Sequence, residues 1–288
     1  MKALVLGFDT EYDYLGLTEG WSKERNVAFG LEALEVIVNH LKEFDAPATF
    51  FLVGEYVQQA PQKFASLIGN GAHEIGNHSH THIQMKDYAW HRSGKSVEDI
   101  RSDLRACNRV LAEAFGVSEI PGLCVPGGYY KGMQDRPDLV EMFVEEGFAY
   151  ISSDSRGPQE TIPAPLSNQP YWYQCGSHRL LEVPHNGWHC NVISGLMSQP
   201  TWWPPLPDAI IPSKKVETVD EQLDVYRREF EYGLKHNLFY APVFHPWSVY
   251  RFDPKIEVIR FLLNEARHHS VPVIRYGDVR GRIAGEDR

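Results

Sequence analysis

The chain has 288 residues, with 28 Lys and Arg against 38 Asp and Glu, and a net charge of −10. With 43% hydrophobic and 23% charged residues, its composition is that of a globular protein, neither disordered nor fibrous. The acidic balance and scattered basic residues argue against unaided binding to nucleic acid or to an anionic membrane surface. No apolar run approaches the roughly 18 residues of a bilayer-spanning helix. The N-terminal run Ala3 to Phe8 is short and ends in acidic residues, unlike a signal peptide. Cys107, Cys124, Cys175 and Cys190 form no Cys-x-x-Cys pair, which suits free thiols in a reducing, cytoplasmic setting.

Strand and helix signals alternate along the chain. Ala3 to Phe8 reads as a buried strand ending at Asp9. Leu31, Leu34, Ile37, Val38 and Leu41 give helical spacing over 26–44, with Pro47 beyond the end. A strand over 48–53, closed by Gly54, a short helix over 61–68 and a strand over 72–76 follow. Ser96 to Phe115 reads as a helix with acids near its start. Strands are expected at 123–126, 150–153 and 180–183, with a helix over 139–146 between the first two. Thr218 and Glu221 form a capping box for a helix bearing Leu223, Tyr226, Phe230 and Leu234. A strand over 241–244, a helix over about 254–268 and a strand over 271–274 complete the pattern. This alternation predicts a parallel α/β fold, and a single-domain barrel suits the strand count. A Pro/Trp-rich insertion at about 197–215, around Trp202 and Trp203, reads as a substrate lid, a homo-oligomer interface or a self-packed loop.

In such a fold the C-terminal strand ends converge on one face, so residues far apart in sequence meet there. Three clusters fit. Asp9, Glu11 and Asp13 fall on one side of an extended chain after the first strand. His78 and His82 sit four apart, and one helical turn would place both imidazoles on one face, as zinc ligands often are. His80 then points elsewhere, and His73 lies inside the preceding strand. His245 closes the run Val243-Phe244 and is followed by Pro246-Trp247, a setting that suits a general acid. Combined, Glu11, His78 and His82 form a one-carboxylate, two-histidine metal site with room for water and a substrate oxygen. Asp9 then takes the proton from the water and His245 protonates the departing amine, which amounts to amide hydrolysis. Zinc suits the ligand set best, although cobalt, manganese, nickel or iron(II) could also bind.

These clusters resemble the polysaccharide deacetylase (NodB-homology, carbohydrate esterase family 4-like) superfamily, in its Asp-x-Asp/Glu branch. His78-Ser79-His80-Thr81-His82 matches the His-[Ser/Thr]-x-x-His motif, preceded by His73-Glu74-Ile75-Gly76-Asn77. Asp9-Thr10-Glu11 matches the motif of base and metal-binding acid, and Val243-Phe244-His245 the general-acid motif. The resemblance runs from residue 3 to about 276, weakly over 157–215, and implies a distorted (β/α)7, TIM-like barrel. Cys124-Val125-Pro126-Gly127 departs from the family's Arg-x-Pro-[Tyr/Phe], with Cys124 at the Arg position. Gly127 can still offer its backbone N–H to an oxyanion. Arg156, in Ser153-Asp154-Ser155-Arg156-Gly157, resembles the Ser-Asp-x-Arg-Gly stretch of lipid-linked aminoarabinose deformylases and is a candidate for the missing guanidinium. Its other reading is a turn cap.

The implied activity is metal-dependent removal of an acetyl or formyl group from an amino sugar, soluble or carrier-linked. An alternative within the superfamily is hydrolysis of a small cyclic imide or ureide. A further alternative is a non-catalytic barrel that binds sugar. Trp188 and His185, in the stretch after the 180–183 strand, are candidates for lining the pocket, with core packing as the other reading.

Overall fold

The computed structural model describes residues 1–13, 20–88, 94–160, 162–193 and 216–283. The 197–215 insertion therefore lies outside the described residues. The strands among them are β1 (Ala3–Val5), β2 (Gly7–Thr10), β3 (Thr49–Leu52), β4 (Glu74–Asn77), β5 (Gly122–Tyr130), β6 (Tyr150–Arg156), β7 (Tyr171–Cys175), β8 (His178–Glu182), β9 (Phe239–Tyr240), β10 (Val243–Phe244) and β11 (Val273–Ile274).

They form a curled eight-stranded sheet, β10-β2-β3-β4-β5-β6-β8-β7, and a three-stranded sheet, β11-β1-β9. The two sheets meet at Leu6. Its N–H donates to Ile274 O (3.2 Å), while its carbonyl accepts from Thr49 N–H (2.9 Å), so β11 hands its place to β3. The single run expected over Ala3 to Phe8 is thus two short strands, and β2 continues to Thr10. Of the run expected over 241–244 only Val243–Phe244 is strand, β10, and β9 lies before it. Asn186 ties the far end of the sheet back to this region. Its N–H reaches Ala241 O at 3.0 Å, and its side-chain oxygen accepts from Ala241 N–H at 2.9 Å. The expected distorted barrel is therefore a single-domain α/β half-barrel.

All strand pairs are parallel except β7–β8, a hairpin that the sequence reading did not anticipate. Strand β7 is a half-buried edge, so it lacks the continuous apolar run by which central strands announce themselves. Along the central strands, alternate residues separate into two apolar layers. Phe8, Phe50, Leu52 and Phe244 face the helices. Phe51, Cys124, Tyr150 and Tyr276 fill the barrel interior, where Tyr276 packs edge-on to Phe51 at 5.1 Å between ring centres.

Helix ends follow their caps. Ser22 accepts from Arg25 N–H and starts the first helix at Lys23–Glu43, earlier than apolar spacing alone suggested. Ser96 caps Val97–Phe115, and the Thr218–Glu221 capping box opens Val219–His236. Gly54 begins a short helix, Gly54–Gln58, where the sequence suggested only the end of a strand. A second unanticipated helix, Pro246–Phe252, begins directly after His245. No described helix is long and apolar enough to cross a membrane.

Candidate active site

Alternation places Asp9 on the inner face of β2, because its neighbour Phe8 is committed to the outer layer. Glu11 follows just past the strand end, and each acid is 6% exposed. In the parallel register Thr10 is level with Leu52 and Leu52 with Asn77, so His78 emerges beside Glu11.

His78 and His82 do converge, but not on a helical turn as their spacing suggested. Residues 78–82 form a loop in which Ser79 and His82 have positive φ, 62° and 56°. Asn77 Oδ1 accepts Ser79 N–H at 2.6 Å, and Asp103 accepts the N–H groups of His80 and Thr81 at 2.5 and 3.2 Å. Side-chain acceptors thus replace the helical hydrogen bonds that a turn of this length would have supplied. His73 lies just before β4, outside the strand in which the sequence reading placed it.

Glu11 Oε2 lies 3.1 Å from His78 Nε2 and 2.9 Å from His82 Nε2. An ion with tetrahedral bonds of ~2.0–2.1 Å separates its ligand atoms by roughly 3.3 Å, and the three atoms, all within 4.8 Å of one another, form a possible ligand group. His78 Nδ1 is 2.8 Å from Cys124 O, which fixes that nitrogen as the donor and turns Nε2 toward Glu11. Burial alone would raise the Glu11 carboxyl, but the facing His82, His78 and His245 rings hold it well below the usual carboxylate range. A carboxyl shifted toward its ionised form beside two imidazoles is a ready ligand set.

His245 follows β10 and points Nε2 at the same acids, 4.0 Å from Asp9 Oδ2 and 3.6 Å from Glu11 Oε1. Asp9 Oδ1 is buried without a hydrogen-bond partner, so one base lone pair is uncommitted. These groups line a cavity of about 100 Å³ together with Ser152, Ser155, Arg156, His185, His189 and Asn191. Burial pushes His185 down to about 4 and holds His189 well below its ordinary value, so both imidazoles are neutral at pH 7.

Gly127 lines the cavity at a left-handed bend in β5, with φ +74°. A Cβ there would collide with Tyr88 Oη, so the position requires glycine. Arg156 ends β6 and braces this bend. Its Nε donates to the carbonyls of Gly127 and Gly128 at 2.9 and 3.0 Å, and Nη1 donates to Glu160 O at 3.1 Å. The guanidinium thus fixes the segment that carries the oxyanion-donor candidate. Cys124, at the position of the family Arg, lies with Asp9 and His78 in a second close group of potential ligand atoms.

The stacking role suggested for Trp188 needs correction. The ring is 1% exposed and belongs to the main apolar core, while His189 and Asn191 line the cavity beside it. Its backbone N–H is held by Glu229 Oε1 at 2.8 Å, which pulls the 187–190 segment inward.

Comparison with known proteins finds similarity over part of the sequence. Residues 2–134 match the polysaccharide deacetylase family model. The chain is 31% identical over 112 residues to a peptidoglycan-N-acetylglucosamine deacetylase of Bacillus cereus, covering 36% of this chain and 39% of that protein. It is 28% identical over 105 residues to a chitooligosaccharide deacetylase of Sinorhizobium fredii, covering 36% and 43% respectively. Over these segments the chain is similar to polysaccharide deacetylases. The chain spans less than half the length of either of these curated relatives. The fold agrees along the whole chain: a crystal structure of a putative polysaccharide deacetylase from Mycobacterium smegmatis superimposes with TM-score 0.71 at 18% identity. That match covers 100% of this chain and 92% of the other.

Two buried acids behind the site escaped the sequence reading, because each partners groups distant in sequence. Glu182 accepts Ser153 N–H and Oγ–H, both at 2.6 Å, and Asp154 N–H at 3.0 Å, satisfying β6 beyond its pairing with β8. Glu229 accepts Tyr240 Oη–H at 2.5 Å as well as Trp188 N–H. Burial pushes Glu229 up to about 8, and burial with the nearby Glu182 charge pushes Asp154 up to about 7. A carboxyl whose folded value is raised contributes stability below its unfolded value and loses it as pH rises through the folded value. Folding stability should therefore fall between about pH 5 and 8.5, and Glu229→Gln should remove part of that fall, on the order of 1–3 kcal/mol. Denaturant midpoints at the two pH values check this. An undiminished fall in the variant would show that Glu229 is ionised at neutral pH.

Proposed function

We propose that the chain is a metal-dependent amide hydrolase that removes an acetyl or formyl group from an amino sugar. The observation that carries this reading is the meeting of Glu11, His78 and His82 with Asp9 and His245 in one cavity. Glu11, His78 and His82 would hold the ion, zinc in this proposal. When bound, it supplies Lewis acidity toward the amide oxygen and lowers the pKa of a water. Asp9, with its uncommitted oxygen, takes the proton of the attacking water. His245 presents Nε2 to the leaving nitrogen and gives it a proton. The Gly127 N–H, held in place by Arg156, faces the developing oxyanion. His185 and His189, both neutral, are suited to hydrogen bonding with a polar substrate rather than to binding an anion.

The cavity volume of about 100 Å³ suits a small acyl group, with the rest of the substrate extending outward. The same volume supports a second reading, a small cyclic imide or ureide held whole. The deacylated product would be a free amine on a soluble or carrier-linked sugar. The four unpaired cysteines suit the proposed cytoplasmic setting. The test is incubation of zinc-loaded protein with N-acetyl and N-formyl amino sugars and, separately, with cyclic imides. Release of acetate or formate supports the first reading and ring opening the second. Neither product, from protein shown to contain metal, would contradict both.

A further inference from the structure

The general-acid candidate has two nitrogens, and only one faces the acids. His245 Nδ1 lies 3.1 Å from Cys190 Sγ, and the backbone N–H of His245 reaches the same sulfur at 3.1 Å. Cys190 is fully buried at the start of the short helix Cys190–Ile193. Its thiol donates toward Asn191 Oδ1 at 3.8 Å, an atom that can only accept. With the thiol proton so directed, the sulfur lone pairs are left facing His245, where one certain donor, the backbone N–H, already points.

We propose that Cys190 is the positioning group for His245, accepting its Nδ1–H and so turning Nε2 to the cavity. A thiol is a weak acceptor, but here it sits in a dry site and receives two N–H groups from one residue. The tautomer of a histidine is set by the hydrogen bond its other nitrogen makes. With Nδ1 committed to sulfur, Nε2 is the nitrogen free to exchange a proton with the substrate. The segment that carries Cys190 is itself anchored from behind by the bond between Glu229 and Trp188 N–H. The role of His245 rests on the reaction proposed above; the manner in which it is held does not.

The test is a nitrogen-15 spectrum of histidine-labelled, zinc-loaded protein, with His245 assigned by its loss in His245→Gln. An exchange-protected proton on Nδ1 of His245 is expected in the wild type and in Cys190→Ser, and is expected to be lost in Cys190→Ala. With substrate, Cys190→Ala should lower kcat about tenfold or more while KM stays within about twofold, and Cys190→Ser should recover most of the rate. An unprotonated Nδ1 in the wild type, or a protected proton that survives in Cys190→Ala, would overturn the proposal. So would a rise in KM alone. The spectrum needs no turnover, so an inactive wild type with the expected spectrum would defeat the proposed reaction and leave the Cys190 contact standing.

Discussion

Asp9→Asn is expected to reduce turnover by about 10²–10⁴-fold, the range associated with losing a general base. The change keeps the shape of the side chain and removes its ability to accept a proton. Asp9 lies outside the Glu11–His78–His82 trio, so bound metal should remain near its wild-type level. Asp9 is 6% exposed with His245 and Cys124 as polar neighbours, so thermal unfolding of the variant beside the wild type separates lost chemistry from lost folding. Parallel measurement of initial rates and metal content decides the matter. A variant retaining more than about a tenth of the rate would move the base elsewhere, with Asp13 next in line.

A different signature is expected at the other side of the cavity. His245→Ala should slow hydrolysis of an N-acyl amino sugar by about 10²–10³-fold, because an amine is a poor leaving group without a proton. An activated substrate such as an aryl acetate needs no such help, and its hydrolysis should fall far less. Burial would lower the His245 imidazole, but Cys190, Glu11 and Asp9 push it above its ordinary value and so favour the protonated form. Equal losses on both substrates would mean that His245 shapes the site without delivering a proton.

Much of this arrangement was legible in the sequence, for one physical reason. A parallel sheet carries its functional groups at strand ends, and apolar runs mark those ends. Asp9 and His245 each follow such a run, and His78 follows the short strand expected over 72–76, so their meeting could be anticipated without coordinates. The capping box at Thr218–Glu221 was equally legible, because its hydrogen bonds are local.

What could not be read are contacts made between segments. The His78–His82 loop is held by Asp103, some twenty residues onward, and nothing in its own spacing distinguishes it from a helical turn. For Trp188 the sequence left stacking and core packing both open, and the choice depends on Glu229, on a later helix, which holds its backbone N–H. Arg156 was singled out from a motif, but its contacts with the Gly127 and Gly128 carbonyls depend on a bend created by positive φ in β5. Cys190 gave no signal, since its partner His245 lies 55 residues away. The breaks at Leu6 and between β9 and β10 arise from a strand exchanging neighbours, which apolar patterning does not record.

The most direct test of the account is the metal content of the purified protein after zinc supplementation, wild type beside His78→Ala and His82→Ala. Near-stoichiometric zinc in the wild type and its loss in both variants, with folding retained, is the predicted result. Zinc retained at full level in either variant, or none in the wild type, would contradict the ligand assignment on which the proposed hydrolysis rests.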